Sequence, residues 1–370
     1  MSHNFRSMSL KDFRRHAGQI AIAGFSGHTI PADLKALARE FDLGGVIFFA
    51  RNIESPEQVA ELSRETQELA GELPLWVSVD QEGGRVARLK SPFTVWPPMQ
   101  TLGRSGDVAL AERFARALAA ELKAVGISLD YTPVLDVLTN PKNPVIGDRA
   151  LAERAEDVAR LGSVIIRTLQ AEGIAACGKH FPGHGDTSVD SHFELPLIEH
   201  PPDRLQAVEL LPFRAAVEAG VASIMTAHIL IPALDDAVPA TLSAPIVNGM
   251  LKQTLGFGGL VLSDDLEMKA ISSRYGMADA TVRAIGAGCD AVLMCGEDQD
   301  QQARAVEAVI RAVEEGSLPI KRAEDALARH RRVKERFLAK RPMPLARAAL
   351  RQVLGRDEHQ AVAAEMLRFA

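Results

Sequence analysis

Cysteine is scarce. The 370 residues hold three, Cys177, Cys289 and Cys295, each in an apolar run and none in CxxC spacing. So sparse a set excludes a disulfide framework and reads as reduced core thiols of a cytosolic protein. Aromatic residues amount to 5%, with two Trp and two Tyr, so platforms for stacking bases are few. No block of Lys and Arg offsets a net charge of −6, which excludes the clustered positive surface that nucleic-acid binding needs. Long apolar runs are missing as well. Val46 to Ala50 is among the longest, far short of the roughly 20 residues that span a bilayer. Residues 1–16 carry Arg6, Lys11, Arg14 and Arg15 without a following apolar stretch of signal-peptide length. A cytoplasmic protein with neither nucleic acid nor membrane as partner is the expectation. A dinucleotide fingerprint is also lacking, because Gly256-Phe-Gly-Gly259 precedes a strand-like run instead of following one.

What is present is an alternation. Apolar runs of strand length recur at Gln19–Ala23, Gly45–Phe49, Leu75–Val79, Ile127–Tyr131, Ile174–Gly178, Ala222–Thr226, Leu260–Ser263 and Ala291–Cys295, separated by segments of helical period. Several open after a helix that ends in Gly, as in Ala124-Val-Gly-Ile127, Ala171-Glu-Gly-Ile174, Ala219-Gly-Val221 and, less sharply, Gly258-Gly-Leu260. Ser55-Pro56-Glu57 orders a cap, a first-turn Pro and an acid at a helix start. Asp107 and Asp203 are placed to cap helices running to about Val125 and Ala219. Eight strands alternating with helices predict an α/β chain folded as a single (β/α)₈ TIM-like barrel. Its expected bounds are 19–315, after an N-terminal segment 1–18 and before a helical tail 316–370. Residues after Gly296 read as the last barrel helix, Gln299–Glu315, followed by tail helices over Lys321–Ala339 and Leu345–Phe369, with breaks at Gly316, Pro319, Pro342 and Pro344.

Polar residues fall repeatedly just after the strands, where such barrels carry their chemistry. They are Asp80, Asp130 and Asp136, Lys179-His180, His228, and Asp264-Asp265. The densest stretch is Lys179-His-Phe-Pro-Gly-His-Gly-Asp-Thr-Ser-Val-Asp-Ser-His-Phe-Glu-Leu-Pro196, too broken by Gly and Pro for a regular helix. A polar βα loop of this length is more often functional than decorative. His180, His184 and His192 with Asp186 or Asp190 could bind zinc in a metal-dependent barrel hydrolase. Asp190 and His192 could instead form a carboxylate–imidazole pair for proton transfer. Composition and spacing do not choose between the two. A barrel that only senses sugars is a third reading, although it would not need such a pair.

The motif Lys179-His-Phe-Pro-Gly-His-Gly-Asp-Thr187 followed by Asp190-Ser-His192 resembles the signature of glycoside hydrolase family 3, in its β-N-acetylglucosaminidase branch. Three further segments agree in order: Val79-Asp-Gln-Glu-Gly-Gly-Arg-Val-Ala-Arg88, Val145-Ile-Gly-Asp-Arg149 and Leu262-Ser-Asp-Asp-Leu-Glu-Met268. The resemblance covers about residues 20 to 300. It implies a retaining hydrolase with Asp264 as nucleophile, His192 as proton donor and acceptor, and Asp190 as the partner of His192. Two-domain relatives draw their acid from a second domain, and this chain has no room for one. Asp80, Arg88, Arg149, Lys179 and His180 match family positions that bind the non-reducing N-acetylglucosamine, and Arg88 and Arg149 could also serve structural ion pairs. His184, Asp186 and His228 read as bracing groups. The implied partner is a small amino-sugar fragment of cell wall, with no metal and no other cofactor, and a monomer is favoured. Since successive residues of an extended strand face opposite ways, Asp264 and Asp265 are not expected to aim inward together.

Overall fold

The computed structural model describes residues 9–339 and 343–370. Arg6, the rest of residues 1–8 of the expected N-terminal segment, and the break at Pro342 lie outside them. Each predicted strand segment contributes one strand of a closed barrel: β1 Ala21–Ala23, β2 Gly45–Phe48, β3 Trp76–Val79, β4 Leu129–Asp130, β5 Ala175–Phe181, β6 Ser223–Thr226, β7 Leu260–Asp265 and β8 Ala291–Met294. Every strand pairs in parallel with its neighbours in sequence, and β8 closes on β1. Alternation along each strand separates two apolar layers. Ile22, Ile47, Trp76, Leu129, Leu262 and Leu293 fill the barrel, while Val46, Phe48, Val77 and Val79 pack outward under the helices.

The helix starts at Ser55 and Asp107 form as expected. Ser55 accepts the N–H of Gln58 ahead of helix Pro56–Glu68, and Asp107 accepts those of Ala109 and Leu110 ahead of helix Val108–Ala124. Gly126, Gly173 and Gly220 hold the left-handed turn between helix and strand; before β7 that role falls to Gly256, not to Gly258 or Gly259. The helix expected from Asp203 to Ala219 is two, Pro202–Ala207 and Leu211–Glu218, and Asp203 caps neither. Pro212 lacks the N–H that a continuous helix would have to supply there.

The C-terminal segment divides into helices Gln299–Glu314, Ile320–Leu338, Arg347–Val353 and Asp357–Leu367. Helix Ile320–Leu338 lies across the N-terminal mouth of the barrel. Its Val333 and Leu338 join the inner layer, His330 Nε2 accepts from Trp76 Nε1 at 2.8 Å, and Lys334 donates to Gln19 Oε1 at 2.8 Å. With that end sealed, the C-terminal mouth is where a polar site can form. Among the described residues, no helix is long and apolar enough to cross a membrane.

Candidate active site

Strand ends bring the predicted residues to one cavity at the C-terminal mouth. Asp80, Arg88, Arg149, Lys179, His180, His184, His192 and Asp264 all border it. Asp80 follows β3 and begins a feature the sequence did not announce, a hairpin of Gln81–Gly83 against Val86–Ala87. Its turn requires glycine, since Gly83 and Gly84 hold φ of +117° and +56° and a Cβ on Gly83 would meet the Pro97 carbonyl at 2.6 Å. Gln81 locks the far strand by accepting the N–H groups of Arg88 and Leu89 at 2.8 and 2.9 Å. Arg88 is thereby turned back over the cavity, 3.6 Å from Asp80.

Glu82 is the residue that motif reading passed over. It is fully buried, binds Arg149 through two hydrogen bonds of 2.9 and 2.8 Å, and accepts Lys179 Nζ at 2.6 Å. Lys179 also donates to Asp80 at 2.7 Å. Burial works against each of these charges, but their attraction prevails: Glu82 is held well below the usual carboxylate range, and Lys179 and Arg149 are raised. Arg149 is thus both a structural ion pair and a wall of the cavity. The available signal was position, because Glu82 stands two residues beyond Asp80 in an extended hairpin and so shares its face.

The long loop after β5 is braced from below. Asp136 accepts the backbone N–H groups of His180 and His184 at 3.2 and 2.7 Å and contacts His180 Nδ1 at 2.7 Å. Gly185 passes so close to Val137 that a Cβ would lie 1.7 Å from its carbonyl oxygen. His184 is buried with Nδ1 on Thr187 and Nε2 on Ser191, at 2.7 and 3.2 Å, and burial pulls its pKa down to about 4. Asp186 likewise braces the loop, accepting from Thr139 at 2.7 Å and meeting His200 at 2.6 Å. The zinc arrangement of His180, His184 and His192 is not formed, since both nitrogens of His184 are taken within the loop. Among the described residues, no three His, Cys, Asp or Glu side chains converge as a metal site.

Asp190 and His192 do form a pair. Asp190 Oδ1 lies 2.7 Å from His192 Nδ1 and also accepts the His192 N–H at 2.8 Å. A carboxylate only accepts, so the proton sits on Nδ1 and the ring presents Nε2 outward. The His192 side chain is 60% exposed, at the lip of the cavity. Burial alone would raise Asp190, but hydrogen bonds from His192 hold it below its ordinary value and keep it ionised.

Asp264 lies at the end of β7. Burial opposes its charge, yet His228, His180 and Lys179 lower its pKa, and the Asp265 N–H donates to its Oδ1 at 2.8 Å. Against the expectation that Asp265 would turn away, both residues border the cavity, although Asp265 Oδ1 accepts from the Glu267 and Cys295 N–H groups. The reason is a bulge: Leu262 sits opposite Ala291 and Asp265 opposite Leu293, three residues of β7 spanning two of β8. Burial pushes Asp265 up to about 7. Cys177 and Cys289 are buried as expected of core thiols, with burial pushing both up to about 12, whereas Cys295 is half-buried and borders the cavity.

Residues 14–333 match the family model described as glycosyl hydrolase family 3 N terminal domain. A beta-hexosaminidase from Nitrosomonas eutropha is 42% identical over 261 residues, 69% of this chain and 74% of that protein. The structure of a glycoside hydrolase family 3 beta-N-acetylglucosaminidase from Paenibacillus sp. superposes with a TM-score of 0.89 at 40% identity, covering 96% of this chain and 68% of that one. NagZ from Neisseria gonorrhoeae, in complex with N-trifluoroacetyl-D-glucosamine, gives a TM-score of 0.76 at 32% identity over 95% of this chain and 98% of that one. Relatives differ in length, and the chain spans only 48% of a beta-hexosaminidase A from Pseudoalteromonas piscicida that is 38% identical to it.

Proposed function

The chain belongs to glycosyl hydrolase family 3, and from that premise we propose that it is a retaining β-N-acetylglucosaminidase working through a covalent glycosyl-enzyme. One observation carries the reading: a half-buried, ionised Asp264 and a carboxylate-held His192 border the same cavity, walled by Asp80, Arg88, Arg149, Lys179 and His180. Fixed donors and an acceptor of this kind suit the hydroxyls of one terminal sugar. Asp264 attacks the anomeric carbon while His192 gives its Nε2 proton to the departing oxygen. His192 then takes a proton from water, whose oxygen displaces Asp264 and leaves the product with its original β configuration. Asp190 stays ionised throughout and balances the imidazolium.

The substrate we favour is N-acetylglucosamine linked to 1,6-anhydro-N-acetylmuramic acid, with or without peptide, as released from cell wall. Recycled fragments of that kind are met in the cytoplasm. Support for the sugar comes from the relatives, one described as a beta-N-acetylglucosaminidase and one holding an N-acylated glucosamine. An aryl N-acetylglucosaminide tests the reaction. Turnover should survive dialysis against a chelator, and Asp264→Asn should abolish it in a folded protein. A slow fluorinated substrate should leave its sugar on the peptide containing Asp264. Loss of activity that zinc restores, or a label on Asp265, would overturn the reading.

A further inference from the structure

The tip of β7 is held from both neighbouring strands. From the β8 side, the Cys295 N–H donates to Asp265 Oδ1 at 3.1 Å, and the Glu267 N–H does the same at 3.1 Å. From the β6 side, His228 reaches across with Nε2 2.9 Å from the Asp265 carbonyl oxygen. His228 is fully buried and does not border the cavity, so it has no path to substrate. A carbonyl can only accept, which puts the ring proton on Nε2. Burial lowers the pKa of the imidazole, against the pull of Asp264. Nδ1 faces the Thr241 hydroxyl at 2.8 Å, and that hydroxyl also lies 2.9 Å from Thr226 and 3.0 Å from the Ala227 carbonyl oxygen. A continuous set of hydrogen bonds thus links the barrel wall to the backbone of Asp265.

That backbone carries the N–H that binds Asp264 Oδ1. Among the described residues, the hydrogen bond made to the Asp264 carboxylate falls on Oδ1. We infer that His228, steered by Thr241, is a positioning residue of the hydrolytic reaction: it fixes the Asp265 backbone so that Asp264 Oδ1 is tied and Oδ2 is the oxygen presented to the anomeric carbon. The inference rests on Asp264 being the nucleophile. It assigns a reason for a histidine in a place where a merely space-filling residue would serve the core equally well.

Two variants separate positioning from packing. His228→Gln offers an amide N–H to the Asp265 carbonyl and an oxygen to Thr241, whereas His228→Leu fills the space and offers neither. With an aryl N-acetylglucosaminide, kcat of His228→Leu should fall about 10²-fold, the size of effect that follows a misplaced reacting group, while KM changes less than about threefold. His228→Gln should recover at least about tenfold of that loss. Labelling of Asp264 by a slow fluorinated substrate should slow in parallel. Equal losses in the two variants, an unchanged kcat in His228→Leu, or a loss confined to KM would overturn the inference. Should His228→Leu fail to fold, Thr241→Val removes the hydroxyl that meets Nδ1 of the ring, and an unchanged kcat in that variant would overturn it equally. Absence of label on Asp264 in the unsubstituted protein would instead remove the nucleophile reading beneath it. Normal labelling in both proteins would remove only the role of His228.

Discussion

His192 is exposed at the lip of a cavity whose other charged groups are buried or half-buried, and that contrast defines what it can do. A proton donor matters most when the departing oxygen is a poor leaving group. For a disaccharide, His192→Ala should therefore cost about 10²–10⁴-fold in the glycosylation step, the usual worth of general acid–base help. An activated aryl group departs without a proton and should be spared most of the loss. Asp190→Asn should follow the same order with a smaller loss, because the ring remains while its orienting charge is gone. Single-turnover glycosylation with both substrates decides the matter; equal losses would make His192 a substrate-positioning group. The motif around residues 179–192 made this pair legible in sequence. Glu82 and the bracing role of Asp136 were not, since each gains its meaning from partners far along the chain: Arg149 and Lys179 for Glu82, His180 and His184 for Asp136.

Elements were legible wherever the information is local. Ser55 and Asp107 stand beside the N–H groups they cap, and eight runs of strand length stand where eight strands form. What escaped depends on a neighbour: the bulge that turns Asp265 inward exists only against β8, and the hairpin over Arg88 only through Gln81. Another such feature joins three elements under the barrel. Asp290, just before β8, accepts Lys252 Nζ at 2.6 Å, Arg322 at 2.7 Å and the Val261 N–H at 3.0 Å, and is fully buried. Asp290→Asn leaves two cations facing a neutral amide, and Lys252 is itself 4% exposed at its side chain. Removing one partner of a buried pair costs about 3–5 kcal/mol. Urea unfolding should show that loss as a lower midpoint with an unchanged slope. A loss below about 1 kcal/mol would mean that the contacts behave as a solvated surface pair.

Across the whole molecule, buried imidazoles stand at both mouths of the barrel, with His184 bordering the cavity, His228 behind it and His330 in the seal opposite. Burial lowers the pKa of all three, that of His330 far below its ordinary value. Once unfolded, each ring takes up a proton near pH 6.5; folded, it does so only at lower pH. In that interval the unfolded chain holds more protons, so each ring makes stability fall as pH falls. Asp265 acts in the opposite sense. Raised to about 7, it keeps a proton that the unfolded chain has released above about pH 4, so its contribution is lost as pH rises through 7. Since these slopes partly cancel, the pH profile of the intact protein alone cannot reveal any one of them, but a difference between two proteins can. His330→Gln keeps an acceptor for the Trp76 N–H and removes a single titrating ring far from the cavity. The stability of the unsubstituted protein relative to this variant should decline by about 1.4 kcal/mol for each pH unit between 6 and 5, the slope of one proton. Urea titrations at three pH values across that interval measure it. A flat difference would mean that His330 is already charged in the folded protein and that the seal tolerates a cation against Trp76.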